Sequence, residues 1–145
     1  MGVASRTWLV LAGLVAAGSA ECAFAGDLTV DVDGVGNGGT VRVAACGAAE
    51  FLQTCAITVT AAAKNGRVTV VLRNLPPGRY AIQAHHDRDG DGEIGRNMLG
   101  IPREGVGFSR NPAMRFGPPS FADAAIDVSD KPMRIRIGLQ FVGGE

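Results

Sequence analysis

Ile57 to Leu75, ITVTAAAKNGRVTVVLRNL, decides the fold class. Ile57, Val59 and Ala61 alternate with Thr58 and Thr60, and Val68, Val70 and Leu72 repeat the pattern with Arg67, Thr69 and Arg73 on the wet side. Successive strand side chains point to opposite faces, so an apolar set of period two marks a strand with one buried face. Asn65-Gly66, between the two runs, is a strong hairpin signal, because these residues tolerate the positive φ of a tight two-residue turn.

The same period continues outward in both directions. Upstream, Leu28, Val30 and Val32 alternate with Thr29, Asp31 and Asp33. After the glycine-rich turn Gly34 to Gly39, Val41, Val43 and Ala45 form a second inward face with Arg42 outward. Gly47 to Thr54 is irregular, with room for one helical turn. Downstream, Leu75-Pro76-Pro77-Gly78 stops the strand, since proline cannot donate to a central ladder. Tyr80, Ile82 and Ala84 make the next inward face. Beyond a long loop come Ala124, Ile126 and Val128, then Met133, Ile135, Ile137, Leu139 and Phe141 with Arg134, Arg136 and Gln140 between them. No segment carries a convincing amphipathic helix. The expectation is an all-β chain, a single seven-stranded antiparallel β-sandwich with one long Gly/Pro-rich loop; an open barrel is the alternative.

The N-terminus reads as an export signal. Arg6 gives a positive start, Trp8 to Ala17 is apolar but short for a bilayer, and Ala23-Phe24-Ala25 offers a small-x-small cleavage site. Residues 1–25 are therefore expected to be a signal peptide and 26–145 the domain, secreted or periplasmic in a bacterium, with no membrane span after cleavage. Cys22 raises a lipoprotein as the rival, although Glu21 before it fits lipid attachment poorly. The about 120 residues that remain suffice for one modest core. Lys and Arg total 14 against 14 Asp and Glu, and signal removal takes one of each, which argues against a nucleic-acid partner. Cys46 and Cys55, close in sequence in an exported chain, read as a disulfide.

The long loop, His85 to Phe121, holds the unusual chemistry. Asp87-Arg88-Asp89-Gly90-Asp91-Gly92-Glu93-Ile94 has the form of a calcium loop. Hard Ca²⁺ takes several oxygens at once, and carboxylates at alternate positions can curl around it where glycine allows the turn. Asp87, Asp89 and Asp91 would supply side-chain oxygens and Glu93 its backbone carbonyl, with Ile94 tucked into the core. Met98 stands where an EF-hand has its bidentate glutamate, so Asn97, Glu104 or another residue would have to complete the shell. The competing reading is that Asp and Gly simply make good turns, the aspartates capping backbone amides.

His85 and His86 are strand neighbours and face opposite ways, so they cannot readily chelate one ion together. Parity puts His86 inward, bracing the loop, and His85 outward. Ser109 and Ser120 lack the context of a nucleophile. Arg103, Arg110 and Arg115 are candidates for an anion or a sugar, although exposed arginines beside Glu104 more often make solvated pairs. Phe108, Phe116 and Phe121 are expected to pack the loop down on the sandwich rim. With His86, Gly100, Pro102, Glu104, Gly107, Pro118 and Pro119, they are the residues expected to give the loop its structure.

LPPGRYAIQAHHDRDGDGEIGRNMLGIPREGVGFS, followed by RFGPPSFADAAIDV, resembles the DUF2141 family of exported bacterial proteins of unknown function. The resemblance covers essentially the whole mature chain and is most specific in HD-x-(D/N)-G-(D/N)-G, LGIPxEGxGFS and FGPPSFxDA. It implies a periplasmic or secreted prealbumin-like or immunoglobulin-like β-sandwich, and it implies no activity. Asp89 and Asp91 stand where asparagine is frequent in the family, which should strengthen cation binding. Gly95 stands where an aspartate often does, which removes a possible ligand.

Three functions follow from these readings. The first is a non-enzymatic exported module whose loop is braced by Ca²⁺ and presents a surface to an envelope protein or glycan. The second is a metal-dependent sugar-active or hydrolytic enzyme using Asp87, Asp89, His86 and the loop arginines. The third is a purely structural envelope protein, indifferent to metal.

Overall fold

The computed structural model describes residues 25–94 and 104–141. The expected signal segment with Cys22 lies outside the described residues, as do Gly95, Asn97, Met98, Gly100, Pro102 and Arg103 of the loop. Among the described residues the chain is all-β apart from one helical turn. Its strands are β1 (Gly26–Val35), β2 (Thr40–Cys46), β3 (Ile57–Ala62), β4 (Gly66–Leu75), β5 (Gly78–Asp87), β6 (Val106–Phe108), β7 (Ala125–Val128) and β8 (Met133–Gly138), with helix α1 (Phe121–Ala124) before β7.

They form two sheets. One has three strands in the order β4-β1-β8. The other runs β3-β2-β5, and β6 and β7 share the far edge of β5, β6 against Gln83–His85 and β7 against Gly78–Ala81. The alternating apolar residues meet in one core. Leu28, Val30, Val32, Val70 and Leu72 come from the first sheet, and Val41, Val43, Ala45, Ile82 and Ala84 from the second. Each valine, leucine or isoleucine so withdrawn from water contributes about 1.5–3 kcal/mol.

Four sequence expectations need correction. Asn65-Gly66 does not close a hairpin: β3 pairs with β2 and β4 pairs with β1, so the dipeptide carries the chain from one sheet to the other. Only Gly66 of the pair takes positive φ, at 99°, whereas the tight hairpin turn needs it at both positions. The strands are not all antiparallel, because β8 runs parallel to β1 in the register Val30↔Ile135. The last alternation also stops short. β8 ends at Gly138, and Phe141, expected inward, is exposed. An eighth strand, β6, lies inside the long loop, where its three residues were too few to show a period.

The two outer faces differ. On the three-stranded sheet, Asp31 of β1 is buried between Thr69 of β4, which donates at 2.7 Å, and Arg134 of β8, whose Nε and Nη2 donate at 2.8 Å each. Asp33 pairs with Arg67 and with Arg136, and Asp27 with Arg73. The Arg134 hydrogen bonds, helped by Thr69, lower the Asp31 pKa to about 2 against the opposing effect of burial.

The five-stranded sheet is covered instead. Phe51 meets both Phe108 and Phe121 edge to face with centroids 5.8 Å apart, over a small apolar cluster that includes Ala81, Met114 and Ala124. The Cys46–Cys55 disulfide is formed and ties down the loop that carries Phe51. Within that loop, Glu50 and Gln53 donate to Gly47 and Glu50 in short turns, as its irregular sequence suggested.

Candidate functional site

β5 ends at Asp87, and the backbone turns there because Gly90 and Gly92 both take φ of 78°, a left-handed conformation that costs glycine nothing. Asp87 organises the turn with both oxygens. Oδ1 accepts from the Gly90 amide at 2.7 Å and Oδ2 from the Gly92 amide at 2.9 Å. Asp89 accepts from the Asp91 amide at 3.2 Å, and Asp91 from the Glu93 amide at 2.8 Å. The loop is thus wound by its own carboxylates, the behaviour expected of aspartate in turns.

The same winding gathers charge. Asp87, Asp89 and Asp91 each offer a ligand oxygen, all within 4.8 Å of one another, with Asp87 buried and the other two exposed. Glu93 enters the turn through its amide, and its carboxylate is not part of this group. Burial pushes the Asp87 carboxyl up, but the Gly92 and Gly90 amides outweigh it and hold the pKa below the usual value. Asp89 goes the other way. The Asp91 amide favours its charged form, yet desolvation and the neighbouring Asp91 and Glu104 carboxylates together raise its pKa.

Two histidines hold the loop in place. His86 is buried on the inner face, and its Nε2 donates to the Gly38 carbonyl at 2.8 Å, pinning β5 to the glycine-rich turn before β2. Its Nδ1 is buried without a partner among the described residues. That turn packs tightly under the loop: a Cβ on Gly39 would come within 2.0 Å of the Asp87 carbonyl. His85 does face away from the main core, as parity required, but it is not solvated. Glu104 covers it, with Oε2 2.7 Å from His85 Nε2 and Oε1 accepting from the Arg88 amide at 2.8 Å. Glu104 therefore acts as a strap across the base of the loop. Its neighbours Gly105 and Val106 continue the strap, the Gly105 carbonyl accepting from the His86 amide at 2.9 Å.

The rest of the long loop sorts itself by burial. Phe108 is buried and Phe121 is partly buried in the small outer cluster, and Ile94 packs against it. Gly107 sits so close to β8 that a Cβ would meet Ile137 Cγ2 at 2.6 Å. Phe116 breaks the expectation: its side chain is fully exposed, and of the two following prolines only Pro119 is buried. Ser109 is buried, accepting from the Ile82 amide at 2.9 Å and donating to the Ala124 carbonyl, so it bridges β5 to α1. Ser120 caps α1 in a reciprocal capping box with Asp123. Arg110 donates to the Ala122 carbonyl at 3.0 Å.

One contact escaped the sequence reading. Arg42 of β2 reaches Gly92 of the loop, donating to its carbonyl at 3.0 Å across 50 residues. Its outward parity was legible, but its position beside β5 depends on strand pairing, which period alone does not specify.

Among the described residues, no helix is long and apolar enough to cross a membrane. A family model described as an uncharacterized protein conserved in bacteria (DUF2141) matches residues 30–136. No curated protein and no solved structure matches the chain.

Proposed function

We propose, for a chain that belongs to the DUF2141 family, that it is an exported, non-enzymatic binding module of the prealbumin- or immunoglobulin-like sandwich kind, with its Asp87–Ile94 loop braced by Ca²⁺. The observation that carries this reading is the gathering of the Asp87, Asp89 and Asp91 oxygens within 4.8 Å on a loop already wound to present them. The donor set suits a hard cation, being made of carboxylate oxygens with no sulfur or imidazole nitrogen. Asp87, Asp89 and Asp91 would hold the ion, with the Glu93 carbonyl as a further oxygen. The ion would supply the positive charge that three crowded carboxylates otherwise lack; that crowding adds to desolvation in raising the pKa of Asp89.

The structural reading also has an observation in its favour. Both oxygens of Asp87 are satisfied by the Gly90 and Gly92 amides, so this turn has a reason to order itself without metal. Thermal unfolding in excess EGTA, followed by a calcium titration, separates the two. A ligand of the native state stabilises by mass action, so a saturable rise in melting temperature is expected, lost in the Asp89→Ala/Asp91→Ala variant and weaker with magnesium. A flat response up to millimolar calcium would remove the cation and leave the structural module.

A further inference from the structure

The outer face of the five-stranded sheet holds a cleft beside the loop, of about 220 Å³, in which the three aspartates take no part. Pairing of β2 with β5 puts Arg42 opposite His85 and the small Ala44 opposite Gln83, which leaves the space. Thr58 of β3 adds one side, and Gly92 and Ile94 of the loop form the rim.

The polar groups here are unevenly committed. Arg67, Arg73, Arg134 and Arg136 each lie within 3.5 Å of an aspartate, whereas Arg42 has no carboxylate partner among the described residues. Its hydrogen bond to the Gly92 carbonyl fixes the guanidinium at the rim and leaves further N–H groups of its planar fork. Gln83 spends its amide N–H on the disulfide sulfurs, 2.9 Å from Cys46 and 3.6 Å from Cys55. Thioether- and disulfide-type sulfurs are weak acceptors, so an oxygen entering the cleft would win that donor. The Thr58 hydroxyl donates to the Cys55 carbonyl at 3.1 Å and so presents its lone pairs as acceptors. His85 is already engaged by Glu104 and serves as floor.

A cation held at the rim with no carboxylate partner among the described residues, an amide donor open to a better acceptor, a hydroxyl acceptor and an apolar rim residue together describe a ligand with a carboxylate at one end and hydroxyls at the other. We propose that this cleft binds a small hydroxylated carboxylate of sugar-acid size, with its carboxylate on Arg42. The proposal rests on the binding-module reading and gives it a ligand class. It does not require calcium, although an ion in the loop would steady Gly92 and so tighten binding.

The test is a titration of ¹⁵N-labelled protein followed by NMR, with D-glucuronate as probe and D-glucose as its neutral counterpart, in EGTA and again in calcium. Saturable shifts of the Gln83 side-chain amide and Arg42 Nε–H are expected with glucuronate and not with glucose. Arg42→Met keeps the stem and should weaken binding at least about tenfold, the usual effect of losing a charge-assisted hydrogen bond. No saturable shift with glucuronate, equal shifts with glucose, or full affinity in Arg42→Met would each overturn the proposal. Comparison of the two sugars on the unaltered protein decides the matter even if the variant misfolds. Thermal stabilisation by calcium without glucuronate binding would sink the cleft and spare the calcium reading; glucuronate binding without calcium stabilisation would do the reverse.

Discussion

The outer faces of the two sheets start from the same alternation and end differently. On the three-stranded sheet, charges on β1 meet arginines on β4 and β8, and the face is finished by ion pairs open to water. On the five-stranded sheet, the chain lays loops over β5 and buries both of its faces, with Ala81 and His85 as well as Ile82 and Ala84 withdrawn from solvent. A paired, wet face needs no cover. A covered face requires segments that bend over it, and where they stop short of one another they leave a cleft. Both the carboxylate loop and the Arg42 cleft lie on the covered side, as expected when loops on a rigid scaffold carry the adaptable chemistry.

If the covering layer is part of the cooperative fold, breaking it should cost as much as breaking the main core. Phe108→Ala removes a buried ring that contacts Phe51 and should cost about 3 kcal/mol in urea unfolding, with a single transition. A local rise in amide exchange with an unchanged unfolding midpoint would mean that the layer opens independently and that the contrast is only one of coverage. Next in size is the disulfide. Cys46→Ala with Cys55→Ala releases a loop closed across 9 residues and should cost about 2–3 kcal/mol in the same measurement. The change should fall on the covered side, loosening Phe51 and the amide of Gln83 while leaving the Asp31 pair intact. Equal loosening of both faces would show that the tether acts on the whole sandwich.

What the sequence could show tracks this contrast. Side-chain direction was legible wherever one face is wet, because the period of two is a local property: Leu28, Val30, Val41, Val43 and Ile82 are all buried as read. Partner choice was not local. Val68 and Ile57 carry equally good alternation whether they pair with each other or with β1 and β2, and Asn65-Gly66 misled because its turn geometry was assumed from composition. On the covered face the period loses its meaning. His85 points outward and is still buried, and its cover, Glu104, lies 19 residues away. The three aspartates were visible as a group because their spacing is local. Arg42 beside them was not, because a contact across 50 residues depends on register.

The smallest effect is expected on the wet face, at its best pair. Asp31 has a pKa of about 2 in the folded protein, below its ordinary value of 3.8, so the unfolded chain binds more protons than the native one between those limits. Its contribution is therefore complete above about pH 4 and is lost as pH falls towards 2. A shift of that size sets an upper bound of about 2.4 kcal/mol. Arg134 is 65% exposed on its side chain, so solvent screening reduces the expected contribution to about 1 kcal/mol. Asp31→Asn should lower stability by about that amount at pH 7, and the gap from the unaltered protein should close as unfolding is repeated down to pH 2. A gap that persists at pH 2 would mean that the site works through the shape and hydrogen bonding of a buried polar group, in which case the wet face is packed much like the covered one. A gap absent at pH 7 would place the whole Asp–Arg array among surface pairs that organise the face without stabilising the fold, and would leave the covered side as the source of the molecule's extra stability.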